Sequence, residues 1–369
     1  MPGGNKMKES RVMDGSKTLW HMDRVLDLDN GKRIAPVHID MGIAKFCNVA
    51  CVFCYGDHQI MTKDYIKQEP LLQTMKDAGE IGIRSIAIIG DGEPTMNPHF
   101  YEALRVGKES GLSLATSTNG VLLNSDEKLE TILDTCEWMR FCLGAGSREG
   151  YQKVHQKDYF DKVVSNVERL VQLKERKGSK CDIGFQAVFV PGQMEQDMID
   201  EAKLAVNLGV DYFVIKQCSL PDGNKRVGKI EFDPKNYGRP ETIEALKYAE
   251  SLSTDRTKII PKWNVMAQGG VRDYQGCPSI PLVSEISGNG DWYPCGFMFG
   301  NKPEFSEFKF GNVHEQSLKK IWESDRYWDI VKRMNDYNVQ KDCAGCCRQD
   351  QVNRFLSKYH EAPKGRNFI

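Results

Sequence analysis

Apolar positions along the chain follow two rhythms. Short runs at 37–43 (VHIDMGI), 84–89 (RSIAII), 113–117 (SLATS), 137–143, 182–190 and 210–217 have the length and β-branched or aromatic character of strands. Between them, stretches with apolar residues three and four apart, near 64–79, 98–110, 126–135, 159–176 and 194–208, with another near 240–252, predict helices with one buried face. Crossovers of this length imply parallel pairing with right-handed connections, hence an α/β sheet or an open partial barrel. Function is then expected at the carboxyl ends of the strands.

The segment before Pro36 has no sustained periodicity and predicts a loosely structured extension over 1–35. After about residue 255 the texture changes. Gly269, Gly270, Gly276, Gly288 and Gly290 punctuate short β-like pieces, and helical patterns follow near 315–324, 326–336 and 348–358. A boundary within 255–270 therefore separates an α/β domain over 36–258 from a small α+β domain over 259–369.

Composition narrows the function. With 369 residues, 40% hydrophobic and 27% charged, the chain can build real cores. Fifty Lys plus Arg against 51 Asp plus Glu leave a net charge of -1, which argues for neither nucleic acid nor an anionic membrane as partner. The mean hydropathy of -0.50 and the lack of a long apolar run exclude a membrane-spanning helix. The opening MPGGNKMKES lacks the apolar core of a signal peptide, so a cytoplasmic location is expected. Twelve cysteines are many for such a chain, and clustered reduced thiols more often bind metal than pair.

Their spacing is informative. Directly after the first predicted strand come Cys47, Cys51 and Cys54, three thiolates on one short loop. Three ligands suit a cubane iron–sulfur cluster with one iron left open; a structural zinc would need a fourth, for which His58 is the nearest candidate. In the C-terminal region Cys277, Cys295, Cys343, Cys346 and Cys347 form a second set, compatible with a further cluster or with a four-cysteine zinc site.

The first set, in this position, resembles the radical S-adenosylmethionine (SAM) superfamily. Asn48 follows the first cysteine and Phe53 precedes the third, as is common there. Gly90-Asp91-Gly92-Glu93-Pro94 is similar to the family's Gly-Gly-Glu-Pro segment, with Asp91 in a glycine's place, and Ser117-Thr118-Asn119-Gly120 is similar to its segment near the ribose and carboxylate. The resemblance implies a partial (β/α)6 barrel, a 4Fe–4S cluster on Cys47, Cys51 and Cys54, and SAM held by Phe53 (against the adenine), Gly92, Glu93 (at the amino group), Ser117 and Asn119. The second set resembles the twitch or SPASM auxiliary extension, which implies a second 4Fe–4S cluster on Cys277, Cys295, Cys343 and Cys346, with Cys347 as a possible substitute for Cys346.

The expected chemistry is generation of a 5′-deoxyadenosyl radical that abstracts a hydrogen atom from a small hydroxylated molecule (a sugar, aminocyclitol or nucleotide sugar), leading to dehydrogenation, epimerisation or dehydration. A flavodoxin or ferredoxin is the expected electron donor, and the auxiliary cluster is expected to transfer electrons. The alternative is a maturase modifying a ribosomally made peptide. A non-catalytic, zinc-stabilised binding module is a third reading. Strand alternation nominates His38, Asp40, Gln186 and Lys216 as inward-facing substrate contacts, with Arg148 and Tyr151 near the mouth and Cys218 as a hydrogen-atom donor.

Overall fold

A computed structural model describes residues 15–369 apart from 220–232, 269, 301, 344–346, 363, 365, 366, 368 and 369. Each predicted strand is present: β1 (His38–Met41), β2 (Ser85–Ile88), β3 (Ser113–Thr118), β4 (Cys136–Phe141), β5 (Asp182–Phe189) and β6 (Tyr212–Gln217). They pair in sequence order and in parallel, with β7 (Lys258–Pro261) beside β6. The helices α1 (Met22–Asp29), α2 (Gln68–Ile81), α3 (Phe100–Glu109), α4 (Asp126–Thr135), α5 (Arg148–His155), α6 (Phe160–Lys177), α7 (Glu195–Leu208), α8 (Pro240–Ser251) and α9 (Trp263–Gln268) complete this part.

Alternation along the strands sorts the two faces of the sheet. Ile39, Met41, Ile86, Ile88, Leu114, Met139, Phe141, Ile183, Phe185, Phe213 and Ile215 are buried in the apolar core. The intervening positions carry Asp40, Ser117, Arg140, Gln186 and Lys216, so the opposite face of an open, partial-barrel sheet is polar.

The sheet does not stop at β1. The strand β8 (Val283–Ile286) pairs in parallel with it, His38 opposite Val283 and Met41 opposite Ile286, and β9 (Asp291–Tyr293) and β10 (Gly311–Asn312) follow antiparallel. The C-terminal region thus shares one ten-stranded sheet with the barrel. Its helices α10 (Leu318–Glu323), α11 (Asp325–Met334) and α12 (Asp350–Glu361) fall where the periodicity puts them.

Several short elements depart from the sequence reading. The extension before Pro36 is ordered from Ser16: a 3-10 turn leads into α1, Val25 is buried with Ile34, Leu282 and Leu356, and Arg24 donates to the carbonyls of Pro36 (2.9 Å) and Gly82 (2.6 Å). An eight-residue helix held by Val25, by the partly buried Met22 and Leu28 and by one arginine gives too short a periodicity to read. The helix α5 and the strand β7 also escape the pattern, each being a few residues long.

Candidate active site

The loop after β1 carries Cys47, Cys51 and Cys54, close enough that each thiol disfavours ionisation of its neighbours. Burial pushes the Cys47 thiol up to about 12 and that of Cys51 well above its ordinary range. Three half-buried thiols on one loop are a soft donor set suited to iron, whose binding would supply compensating positive charge. Cys51 Sγ lies 3.1 Å from Nδ1 of His155, a buried imidazole whose Nε2 donates to the Leu143 carbonyl (2.6 Å) and whose pKa burial lowers to about 4. His155 is neutral, with its tautomer fixed. Nothing in the cysteine spacing pointed to it, because it arrives from α5.

The loop after β2 seats the SAM-like segment. A Cβ on Gly92 would lie 2.5 Å from the carbonyl oxygens of both Ala44 and Phe46, so only glycine lets this turn press on the cysteine loop. Buried Glu93 accepts at Oε1 from Thr118 Oγ1 (2.6 Å) and from the Thr95 hydroxyl (2.6 Å) and N–H (3.1 Å). At Oε2 it accepts from the Asn119 N–H (2.8 Å), which leaves a lone pair for an amino group. Burial raises its pKa despite these bonds. Asn119 also donates to Asn48 Oδ1 (2.6 Å) and approaches Cys47 Sγ (3.6 Å), joining the three loops. Phe53 is half-buried beside Gly144, and Ser117 accepts from Arg140 Nε (3.3 Å) and contacts Cys142 Sγ (3.2 Å).

Asp91, the departure from a glycine, turns away from this pocket. Its carboxylate accepts from Ser287 Oγ (2.6 Å) and the Gly288 N–H (3.0 Å) of the C-terminal region and pairs with Lys45 (3.3 Å). His58 is not a fourth ligand to the first cysteines: it stacks on Phe297 at 4.9 Å and donates to that residue's carbonyl (2.8 Å).

The second constellation forms where the β8–β9 hairpin meets the start of α12. Cys277 accepts from Asn353 Nδ2 (3.3 Å) and lies 3.7 Å from Gln349 Oε1. Cys347 is hydrogen-bonded to Cys343, and both act electrostatically on Cys277 or Cys295. The four thiols gathered among the described residues are Cys277, Cys295, Cys343 and Cys347; Cys346 lies outside those residues. Tyr55, next to Cys54 in the chain, senses Cys295, Cys343 and Cys347 together with Glu285, so its phenol reaches the second constellation. Burial raises the Glu285 carboxyl to about 7. Among the described residues, no three His, Cys, Asp or Glu side chains are drawn tightly enough together to hold a single metal ion.

The expected substrate contacts divide. Gln186 and Lys216 lie on the polar face, with Gln186 Nε2 3.8 Å from Cys142 Sγ. His38 and Asp40 share that face but are bound to each other (3.0 Å) and to Arg348 from the C-terminal region. Arg148 forms exposed ion pairs with Asp158 and Asp161, and Tyr151 is fully buried against His155. Cys218 is fully buried, its N–H donating to Tyr237 Oη (2.7 Å), and it acts electrostatically on Lys216. The half-buried thiol on the polar face is Cys142.

Comparison with known proteins agrees with this geometry. Residues 41–205 match the radical SAM superfamily model and residues 277–347 match a SPASM iron–sulfur cluster-binding domain. The chain belongs to the radical SAM superfamily and carries a C-terminal SPASM domain; a 4Fe–4S cluster, SAM and additional iron–sulfur ligation come with these domains. It is similar to the tungsten-containing aldehyde ferredoxin oxidoreductase cofactor-modifying protein of Pyrococcus furiosus, 25% identical over 85% of this chain and 88% of that one. A second relative is the AdoMet-dependent heme synthase of Methanosarcina barkeri, 23% identical over 86% and 90%. Among solved structures, Streptococcus suis SuiB bound to SAM superposes with a TM-score of 0.64 at 17% identity, covering 93% of this chain and 80% of that one. Native anSMEcpe with bound AdoMet gives 0.57 at 16% identity, covering 88% and 95%. No helix of the described residues is long and apolar enough to cross a membrane.

Proposed function

We propose that this radical SAM enzyme is a maturase that modifies a peptide precursor, in preference to the sugar-like substrate expected from the auxiliary extension. The observation that carries the reading is the reach of the similarity: SuiB bound to its precursor peptide covers 90% of this chain, barrel and C-terminal region together, with a TM-score of 0.64. The polar face of the ten-stranded sheet, lined by Ser117, Arg140, Gln186 and Lys216, offers groups for an extended chain to engage. When bound, the first cluster and SAM supply hydrogen-atom abstraction. Cys47, Cys51 and Cys54 hold the cluster; Glu93, fixed by Thr118, Thr95 and the Asn119 amide, orients the cofactor's amino group; Phe53, Gly92, Ser117 and Asn119 complete its cradle. Cys277, Cys295, Cys343 and Cys347 hold the auxiliary centre, which serves electron transfer. Flavodoxin or ferredoxin remains the proposed donor and the cytoplasm the proposed location.

A second reading, a cofactor-like small molecule as substrate, is supported by the printed names of the Pyrococcus and Methanosarcina relatives. Reduced, reconstituted enzyme given SAM and separate panels of peptides, cofactor precursors and sugar alcohols distinguishes these readings by deoxyadenosine formation. Stimulation by a peptide is expected; stimulation confined to either small-molecule panel overturns the maturase reading.

A further inference from the structure

Three cations crowd one corner of the polar face. Arg140 stands on β4, Lys216 opposite Val188 at the end of β6, and Lys262 just beyond β7, its N–H continuing the ladder to the Ile215 carbonyl (3.0 Å). Lys216 feels both Arg140 and Lys262, and Lys262 feels Arg140, so the three charges are neighbours. All are half-buried, and none forms an ion pair with a carboxylate among the described residues. Arg140 has a local role: it lies over Trp138 at 5.0 Å and donates to Ser117, on the side of the cofactor cradle. Lys216 and Lys262 have no such employment. Burial, with Arg140 adding repulsion, lowers both ammonium groups to about 8, yet at neutral pH they remain charged. Two partly desolvated ammonium groups side by side, without a carboxylate partner among the described residues, are unfavourable unless something bound between them compensates.

We propose that Lys216 and Lys262 form an anion-binding subsite that takes a carboxylate or phosphate group of the substrate and thereby orients it toward the cofactor cradle at Ser117. This rests on the polar face being the substrate trough, and not on the substrate being a peptide. Lysine suits the role, since its point charge and rotatable donors accept either oxyanion.

The test uses unreduced, reconstituted protein loaded with SAM, so that the cofactor cradle is filled. Calorimetric titration with triglutamate and with inorganic pyrophosphate separates carboxylate from phosphate, and triglutamine is the uncharged control. Binding of at least one anion, no binding of the control, and a loss of about tenfold or more in Lys216→Met and in Lys262→Met are expected. Thermal unfolding of both variants at or above the wild-type midpoint shows that they fold. Binding of neither anion by wild type, or equal binding by wild type and variants, overturns the subsite. Anion binding lost in the variants while no peptide stimulates turnover upholds the subsite and removes the maturase reading; peptide-stimulated turnover unchanged in both variants removes the subsite and leaves the maturase.

Discussion

Replacing Asp91 by alanine tests whether the residue standing in a family glycine's place serves the junction between barrel and SPASM domain. The carboxylate is 1% exposed and its partner Lys45 6% exposed. The substitution strips the acceptor from Ser287 and the Gly288 amide and leaves the Lys45 ammonium in a dry site with only Ser287 Oγ (3.3 Å) and the Gln59 carbonyl (2.8 Å). Removing one member of a buried ion pair costs about 3–5 kcal/mol. At about 2 °C per kcal/mol for a long chain, the midpoint of thermal unfolding should fall by about 6–10 °C. The double variant Asp91→Ala with Lys45→Met should recover much of the loss, because no buried charge is then left alone. SAM binding by the folded single variant should persist, since the carboxylate faces away from Glu93. A midpoint within 2 °C of wild type (about 1 kcal/mol), or a double variant no better than the single one, would refute the reasoning.

Other outcomes follow from the same geometry. Cys51→Ala should abolish SAM cleavage, whereas Cys295→Ala should keep some uncoupled cleavage while product formation stops; chromatography of deoxyadenosine and product reads both. Cys347→Ala should lower the iron and sulfide content of the reconstituted protein by about four of each, the content of one cubane, while Cys346→Ala should leave it intact; the reverse result would return the fourth auxiliary ligand to Cys346. Gly92→Ala should prevent loading of the first cluster, since its Cβ meets backbone atoms of Ala44 and Phe46 at 2.5 Å, and an unchanged cluster spectrum would contradict that contact. For Lys216 and Lys262, the folded pKa of about 8 lies below the unfolded lysine value, so the unfolded chain binds more protons between them. Their contribution to stability therefore rises as pH climbs from about 8 toward 10.5, and the wild-type gain over Lys216→Met in a pH series of urea unfolding should show it.

Much of this molecule is legible in its sequence, for reasons that differ from element to element. The barrel strands are readable because each alternates an apolar position that meets a helix with a polar one that meets the trough: Ile39 and Met41 against Asp40, Phe213 and Ile215 against Lys216. The cysteine loop, Glu93 and Asn119 are readable because the site needs them at successive strand ends. Alternation gives Asp40 and His38 their face of the strand but not the side chain that occupies them there. Their partner Arg348 lies over three hundred positions away in the chain. His155, Arg140 and Lys262 went unnoticed because a lone basic residue on a short helix or strand has no local pattern to mark it.

The strand β8 was the least legible and bears most on mechanism. Four residues, Val283–Ile286, carry no strand signal strong enough to predict a partner, yet they pair in register with all of β1. That ladder fixes Asp40 opposite Glu285. Ten residues on from Glu285 the hairpin delivers Cys295, and seven on from Asp40 the other strand delivers Cys47. Backbone hydrogen bonds, the Asp91 clasp and the Gln59 bond to the Gly296 carbonyl (3.1 Å) then tie the two cysteine sets into one sheet, and Tyr55, next to Cys54, reaches the second set. A tethered, independently moving domain would make the spacing between the two centres vary with each excursion. A shared sheet removes that freedom and fixes the spacing between the two cysteine sets.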